Sequence, residues 1–484
     1  QARGIDDLWI LTSDMSTVVE MPQSESVSEI SEEMDNAGAG KTHAAEKESM
    51  EPWSIAPILL VQFLYMLALA MSAPNYPFIW TTMPYASGDE VKGATLSLFG
   101  VFSNAFAEFL SASLLGVMSD RYGRKPFLLL SCLGQVIDFT TAGLAVQGLN
   151  EMGVHLPTIT AHLKPVCWML SARVIAGLCG NLTIFTKAYV GDVSTAETSS
   201  KHFALLFACV ISSVLVGMPL GGVLSRRSLR APMMAASALN LMNMILVCFL
   251  RESLKPEHRT PVVWRRANPV GVLQFLLSSR FLLFFGIMTF MDQFSISLIH
   301  NVFFQYCKIV FEVEKRSSIM LIITFCLASI ISLVLIQCPM ILRRCGEITI
   351  VRAGYSLTCA AFACLALVSY TRLFLLMFPC MILLAVGAVS GPVQTAIATR
   401  CVTDSEQGTL QAANGSLDVI GKMASAGLVS VLFQPVMKID QPGIIWWTAC
   451  LTALGGVWIA FNLHRFLPPT FKAFPSSLPD ASEP

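Results

Sequence analysis

Residues 116–125 read GVMSDRYGRK, Gly116 to Lys125, and stand between two apolar stretches, 94–117 and 126–147. Each stretch is about 20 residues long, the length of helix that crosses a hydrocarbon core. The run therefore reads as a short charged turn between two spanning helices. On this reading Gly116 ends the first helix where a neighbour packs closely, and Asp120 begins the next. Gly123 permits a tight turn, while Arg121, Arg124 and Lys125 stay on the inner face.

Apolar stretches of the same length recur on both sides of this hairpin. They cover 54–74, 94–117, 126–147, 164–188, 202–224, 231–250, 273–299, 317–337, 348–369, 372–397, 409–433 and 444–464, twelve spans in all. Pro219, Pro379, Pro392, Gly387 and Gly391 fall inside them, where membrane helices tolerate such residues as bending or packing points. Composition agrees: of 484 residues 54% are hydrophobic and 13% charged, and mean hydropathy is +0.63. A soluble domain carries about 25% charged residues. Half that charge on a chain this long excludes a soluble enzyme, a disordered protein and a nucleic-acid binder.

The net charge of zero hides an asymmetry. Residues 1–52 hold 12 Asp and Glu against three Lys and Arg, so an acidic tail precedes a basic body. The tail has no apolar period and is expected to be disordered and solvated. Its Gly40-Lys41-Thr42 resembles the end of a phosphate-binding loop, but Asp35 stands where that loop needs glycine. The 14 cysteines sit singly, with no C-x-x-C spacing, and read as small hydrophobes. Neither a metal nor a cofactor is called for.

The longest internal connection, 251–266, divides the spans six and six and is basic (Arg251, Lys255, Arg259, Arg265, Arg266), hence expected on the cytoplasmic side. An even number of spans then places both termini there. Inner loops carry more Lys and Arg than outer ones, although Arg226, Arg227 and Arg230 fall outside. The expected organisation is an acidic tail (1–52), a six-helix half (53–250), a linker (251–272), a second half (273–466) and a C-terminal tail (467–484).

The hairpin turn resembles the signature loop of the major facilitator superfamily at Gly116, Asp120, Arg121, Gly123, Arg124 and Lys125. The resemblance continues at Arg173 and Gly177, at Tyr189 and Asp192, and at Gly217, Pro219, Gly221 and Gly222, which is similar to a glycine–proline bend found in antiporters. There Pro219 stands one position late, behind Met218. SDRYGRKPFLLLSCLGQVIDF, with Asp138, looks most like the tetracycline/proton antiporter branch, and 394–415 looks like its tenth-to-eleventh helix region. In the second half the loop is reduced to ILRRCGE, which keeps Arg343, Arg344 and Gly346. Spans one and nine lack the acids of the tetracycline antiporters, so tetracycline itself is not implied.

The resemblance implies an all-α membrane fold of twelve helices in two six-helix halves, a monomer in the bilayer that carries a small organic solute and protons by alternating access. It also implies that Asp120, Arg124 and Asp192 form a latch that closes the cytoplasmic side. A charge inside a span costs roughly 2.5–3.5 kcal/mol on insertion scales, so each is a candidate for function. At about 1.5 Å per residue, Glu108, Asp138, Asp292 and Asp418 fall near mid-depth. Asp138 and Glu108 lead as proton carriers, each weighed against permanent pairing with Arg173 or helix hydroxyls. Asp418 and Lys422, four apart, share a helix face and read first as an ion pair and second as solute contacts. Asp292 with Gln293 is a candidate for recognising a cationic or hydrogen-bonding solute, and His300 is expected at the outer interface. Asn181 and Asn414 begin glycosylation sequons that lie in or beside spans and are expected to be unmodified. Antiport and export are the preferred reading; proton-coupled import, as in folate-transporter-like relatives, and a transporter-like receptor without flux are the alternatives. Nothing in the chain suggests an enzyme.

Overall fold

A computed structural model describes residues 55–86, 88–145, 164–194, 199–254, 256, 259, 274–336, 346–402 and 407–467. The acidic tail with Gly40-Lys41-Thr42, Lys255, Arg265, Arg266, Arg343, Arg344 and most of the C-terminal tail lie outside the described residues. Among the described residues the chain forms helices and connecting turns.

Among the described residues, twelve helical segments are long and apolar enough to cross a membrane: Ala56–Thr81, Glu90–Tyr122, Lys125–Ala145, Pro165–Val193, Leu205–Leu224, Arg230–Phe249, Arg280–Phe311, Arg316–Leu335, Glu347–Thr371, Phe374–Ala398, Ala413–Lys438 and Ile444–Phe466. They are numbered spans 1 to 12. Span 2 starts earlier than its apolar run because Asp89 caps it, accepting from the backbone N–H of Val91 at 3.0 Å and of Lys92 at 3.1 Å. Those hydrogen bonds, with Lys92 foremost, hold the Asp89 carboxyl below the usual carboxylate range. Span 7 runs on to Phe311, past its expected end, because its last turns are as apolar as its centre.

The hairpin differs from expectation in one respect. The second span is a single helix through Tyr122, so Gly116 lies within it and Asp120 in its last turn. A Cβ on Gly116 would meet nothing within 4 Å, so no neighbour packs there in this conformation. The turn itself is Gly123, at φ +98° and ψ 167°, a backbone region essentially restricted to glycine. Its Cα also faces Glu252, whose Oε2 would stand 2.6 Å from an added Cβ. Gly123→Ala is therefore expected to lower stability by about 1–3 kcal/mol, through backbone strain and displacement of Glu252. A thermal melt in detergent checks it; an unchanged melting temperature would mean that the turn relaxes freely.

Spans 1–6 pack among themselves, as do spans 7–12, and the halves meet where span 2 lies along spans 11 and 7 and span 5 against span 8. Glycines set the closest helix approaches. An added Cβ at Gly221 would overlap the carbonyl oxygen of Met71 in span 1, and one at Gly217 would stand 2.8 Å from Ala70 Cβ. Pro219 sits between these glycines, inside a helix that continues from Ser199 to Leu224. Gly222 faces Ile319 of span 8.

The buried apolar clusters have a polarity along the bundle. One, including Phe78, Ala94, Leu98 and Met218 of the first half with Phe294, Val302, Ile319 and Phe433 of the second, joins the halves. Its members run from mid-depth to the end remote from residues 55 and 467, called here the far end. At the tail end the first half has its own cluster (Ile58, Tyr65, Leu128, Val190, Val247), and the second half another (Phe281, Val351, Ile397, Leu463). The halves therefore share a core at the far end and keep separate cores at the tail end.

Candidate functional site

Asp138 lies in span 3 with its side chain fully buried. The hydroxyl of Tyr76, at the end of span 1, donates to Asp138 Oδ1 at 2.7 Å, and Arg173 Nη1 of span 4 stands 3.2 Å from Oδ2. The Arg173 guanidinium lies over the Tyr76 ring, 3.7 Å from its centroid, within the cation–π range. One carboxylate thus holds three spans of the first half together. Arg173 Nε has no hydrogen-bond partner, so the guanidinium is not saturated. The sequence singled out Asp138 and Arg173 but gave no sign of Tyr76, a residue whose phenol finds the carboxylate only through the fold.

Four residues after Arg173, Gly177 brings span 4 against span 2, where an added Cβ would overlap the carbonyl oxygen of Asn104. Asn104 Nδ2 donates to the Arg173 carbonyl at 2.9 Å, and Ser111 Oγ to the Gly177 carbonyl at 3.0 Å. Span 4 then breaks. Gly180 takes φ +77°, and Asn181 caps the helix Leu182–Val193 by accepting from Thr183 N at 3.0 Å. A sequon reading hid this role of Asn181. Gln62 of span 1 donates to Thr183 Oγ1 at 3.0 Å, and buried Glu108 of span 2 sits beside Asn181.

Glu108 also belongs to a second constellation that crosses between the halves. Lys422 and Asp418 of span 11 stand 3.4 Å apart as the expected ion pair, and Lys422 lies within Coulombic reach of Glu108 as well. Asp292 of span 7 faces Asp418 across the close contact that Gly421 makes with Gln293. His300 of span 7, expected at the outer interface, is exposed and lies within Coulombic reach of Asp418 and Lys422. The Asp418 and Lys422 side chains are likewise 36% exposed. The mid-depth charges thus separate into two groups, Asp138–Arg173–Tyr76 inside the first half and Glu108–Lys422–Asp418–Asp292–His300 at the junction of the halves.

A third charged network sits at the tail end. Arg124 is nearly buried and donates from Nε to Asp192 Oδ2 at 2.9 Å, from Nη1 to Ser119 Oγ at 2.7 Å, and from Nη1 to Asp120 Oδ1 at 2.5 Å. Burial alone would lower the Arg124 pKa; the hydrogen bond and charge of Asp192, then Asp120, reverse that and raise it above the ordinary value. Arg121 instead lies over the Tyr122 ring, and Lys125 Nζ donates to the carbonyl of Cys248 at 3.0 Å. Tyr189 donates to the Arg251 carbonyl at 3.0 Å. Glu252, which the sequence reading missed, accepts from the backbone N–H of Arg124 at 2.7 Å and of Lys125 at 3.1 Å. Its carboxylate caps the positive N-terminus of span 3. The signal for it is an acid directly after the sixth apolar span, in Arg251-Glu252-Ser253. The three residues expected as a latch are thus brought together, all within the first half.

Comparison with known proteins follows the same lines. The Major Facilitator Superfamily model matches residues 58–426. The class C tetracycline resistance protein of Escherichia coli is 30% identical over 405 residues, 81% of this chain and 95% of that one. Multidrug resistance protein 2 of Bacillus subtilis is 23% identical over 425 residues, 85% of this chain and 96% of that one. The crystal structure of the human organic anion transporter MFSD10 superposes with a TM-score of 0.63 at 18% identity, covering 85% of this chain and all of that one, a likeness of fold. With twelve spans, the signature turn and the halves joined at one end, this chain belongs to the major facilitator superfamily of multi-pass membrane transporters.

Proposed function

We propose that the protein exports a small amphiphilic organic solute in exchange for protons. The observation that carries this reading is a carboxylate with no solvent exposure, Asp138, held between the Tyr76 hydroxyl and the Arg173 guanidinium at the depth where a coupling ion must bind. A buried ion pair is costly to keep unless it does something else, and breaking it by protonation is a natural use. The second group, Glu108 with Lys422, Asp418, Asp292 and His300, lies where the halves meet and is the place for the solute's polar head. Similarity to tetracycline and multidrug resistance proteins over most of the chain favours export of a drug-like amphiphile.

The basic connection 251–266 supports a cytoplasmic tail end, with both termini on that side. On that orientation the conformation described is closed outward and opens to the cytoplasm. The two halves, 53–250 and 273–466, would then rock about the solute site, with 251–272 as linker. Asp120, Arg124 and Asp192 are the latch on that side, assembled in the first half and awaiting a partner surface. Asp120→Asn is expected to slow flux several-fold while leaving insertion and melting temperature close to wild type. Unimpaired flux in that variant would remove the latch.

The direct test is proton movement in proteoliposomes with an internal pH dye and a panel of organic cations, anions and neutral drugs. Alkalinisation of an acid-loaded lumen as solute enters, lost in Asp138→Asn, supports antiport. Acidification would establish symport, the import reading that the displaced Met218-Pro219 pair fits nearly as well. A folded protein silent to every solute would support a receptor role, for which deletion of residues 1–52 should abolish function.

A further inference from the structure

Of the ion pairs outside the three charged groups, among the described residues, one joins the two halves. At the far end Lys308 Nζ of span 7 stands 2.5 Å from Glu90 Oε1 in the first turn of span 2. The same ammonium lies over the Phe78 ring of span 1, 5.1 Å from its centroid. One turn back, Gln305 Nε2 donates to the carbonyl of Pro77 at 3.3 Å. All three contacts run from the second half to the first, and each reaches the helix ends that close this side of the bundle. Directly beneath them lies the single apolar cluster, among those formed by the described residues, that joins the halves. A small void remains between the contacts, lined by Phe78, Thr81, Glu90, Gln305, Lys308 and Ile309.

We propose that Glu90, Lys308 and Gln305 form the far-end gate of the transporter, and that these contacts must break for the solute pathway to open on that side. The inference rests on alternating access, but not on which solute is carried or which way. Geometry assigns the parts. Lys308 is the moving cation, carried by span 7. Glu90 is fixed at a helix N-terminus, where a carboxylate is favoured and where Asp89 pins the first turn. Gln305 is the buried partner, 3% exposed, and its Oε1 has no hydrogen-bond partner. A gate that must open repeatedly should not be closed by a saturated network, and this one is not. The ion pair is nearly half exposed and weak on its own. A two-state element near balance nevertheless responds to small terms, so removing a weak tie moves the population by about fivefold.

The experiment uses the full-length protein in nanodiscs. Hydrogen exchange of backbone amides in 90–98 and 302–311 reports opening of the far end independently of any solute. Glu90→Gln and Lys308→Gln are each expected to raise exchange there by about fivefold, with 350–356 at the tail end unchanged. The charge swap Glu90→Lys with Lys308→Glu is expected to restore the wild-type pattern. Unchanged exchange in both single variants, or a swap no better than the singles, would overturn the gate. Should a single variant fail to fold, the wild type still decides. A water-soluble carbodiimide joins an ion-paired carboxylate and amine as an amide, so it should link Glu90 to Lys308, detected by peptide mass spectrometry. That link should stop the far end from opening. Absence of the link, or full exchange at the far end in linked protein, would overturn the proposal while leaving proton-coupled transport intact.

Discussion

Asp138→Asn should yield protein that inserts and folds yet no longer moves protons with its solute. The substitution keeps the shape of the side chain and an oxygen to accept from Tyr76, and removes the charge that pairs with Arg173. Removing one partner of a buried ion pair costs about 3–5 kcal/mol, most of it from the charge left alone. Arg173 is 16% exposed and so can recover part of that by turning toward water. The expected result is a lowered melting temperature and, at about 1.4 kcal/mol per decade, a loss of coupled flux by at least tenfold. Pairing by itself would give the same two losses, so a second variant is needed. Asp138→Asn combined with Arg173→Gln removes both charges and should recover most of the stability. If proton movement stays lost in that double variant, Asp138 is the carrier. If stability and proton movement return together, the pair is structural, and the coupling role passes to Glu108.

Tyr76→Phe sharpens the same point. The phenol is the donor to Oδ1 and its ring is the face on which Arg173 rests. Phenylalanine keeps the face and loses the donor. The consequence falls on the carboxylate alone, which is the group under test.

Much of this arrangement could be read from the chain before any coordinates. The twelve spans were legible because a bilayer needs about 20 apolar residues per crossing and the chain has little else. Asp138, Arg173 and the Asp418–Lys422 pair were legible because a charge inside such a run is expensive and stands out. Helix ends were less so. Span 2 begins at a capped Glu90 and ends at Tyr122, and hydropathy does not weigh a capping carboxylate or a last amphipathic turn. Tyr76, Glu252 and Gln305 escaped notice for a different reason. Each is chemically ordinary, and its significance comes from a partner 62, 128 or 228 residues away. The end of span 7 was placed at 299 by following the apolar run, whereas the helix continues to Phe311.

Gly221→Ala and Gly116→Ala should separate sharply, although each adds one methyl group to a glycine within a membrane helix. At Gly221 the added carbon overlaps the carbonyl oxygen of Met71 and approaches the backbone carbon of the same residue to 2.8 Å. Nothing in that contact is a flexible side chain, so spans 1 and 5 must move apart. The Asn75 Nδ2 hydrogen bond to the Gly221 carbonyl at 3.2 Å is lost with them. Overpacking costs about 1–3 kcal/mol even where side chains can yield, and here the expected outcome is loss of most folded protein on extraction into detergent. At Gly116 the methyl enters open space and improves the helix by up to about 1 kcal/mol, so the melting temperature should hold or rise. Yet Gly116 belongs to the signature turn, and in this conformation nothing there requires a glycine. The requirement has to come from the opposite state, in which the second half closes over the tail end and a helix packs onto that bare surface. Gly116→Leu should therefore fold as well as wild type while flux falls by tenfold or more, because the larger residue penalises only the closed tail end. Flux at the wild-type rate in Gly116→Leu would mean that no helix closes over this residue, and the tail end must then seal elsewhere.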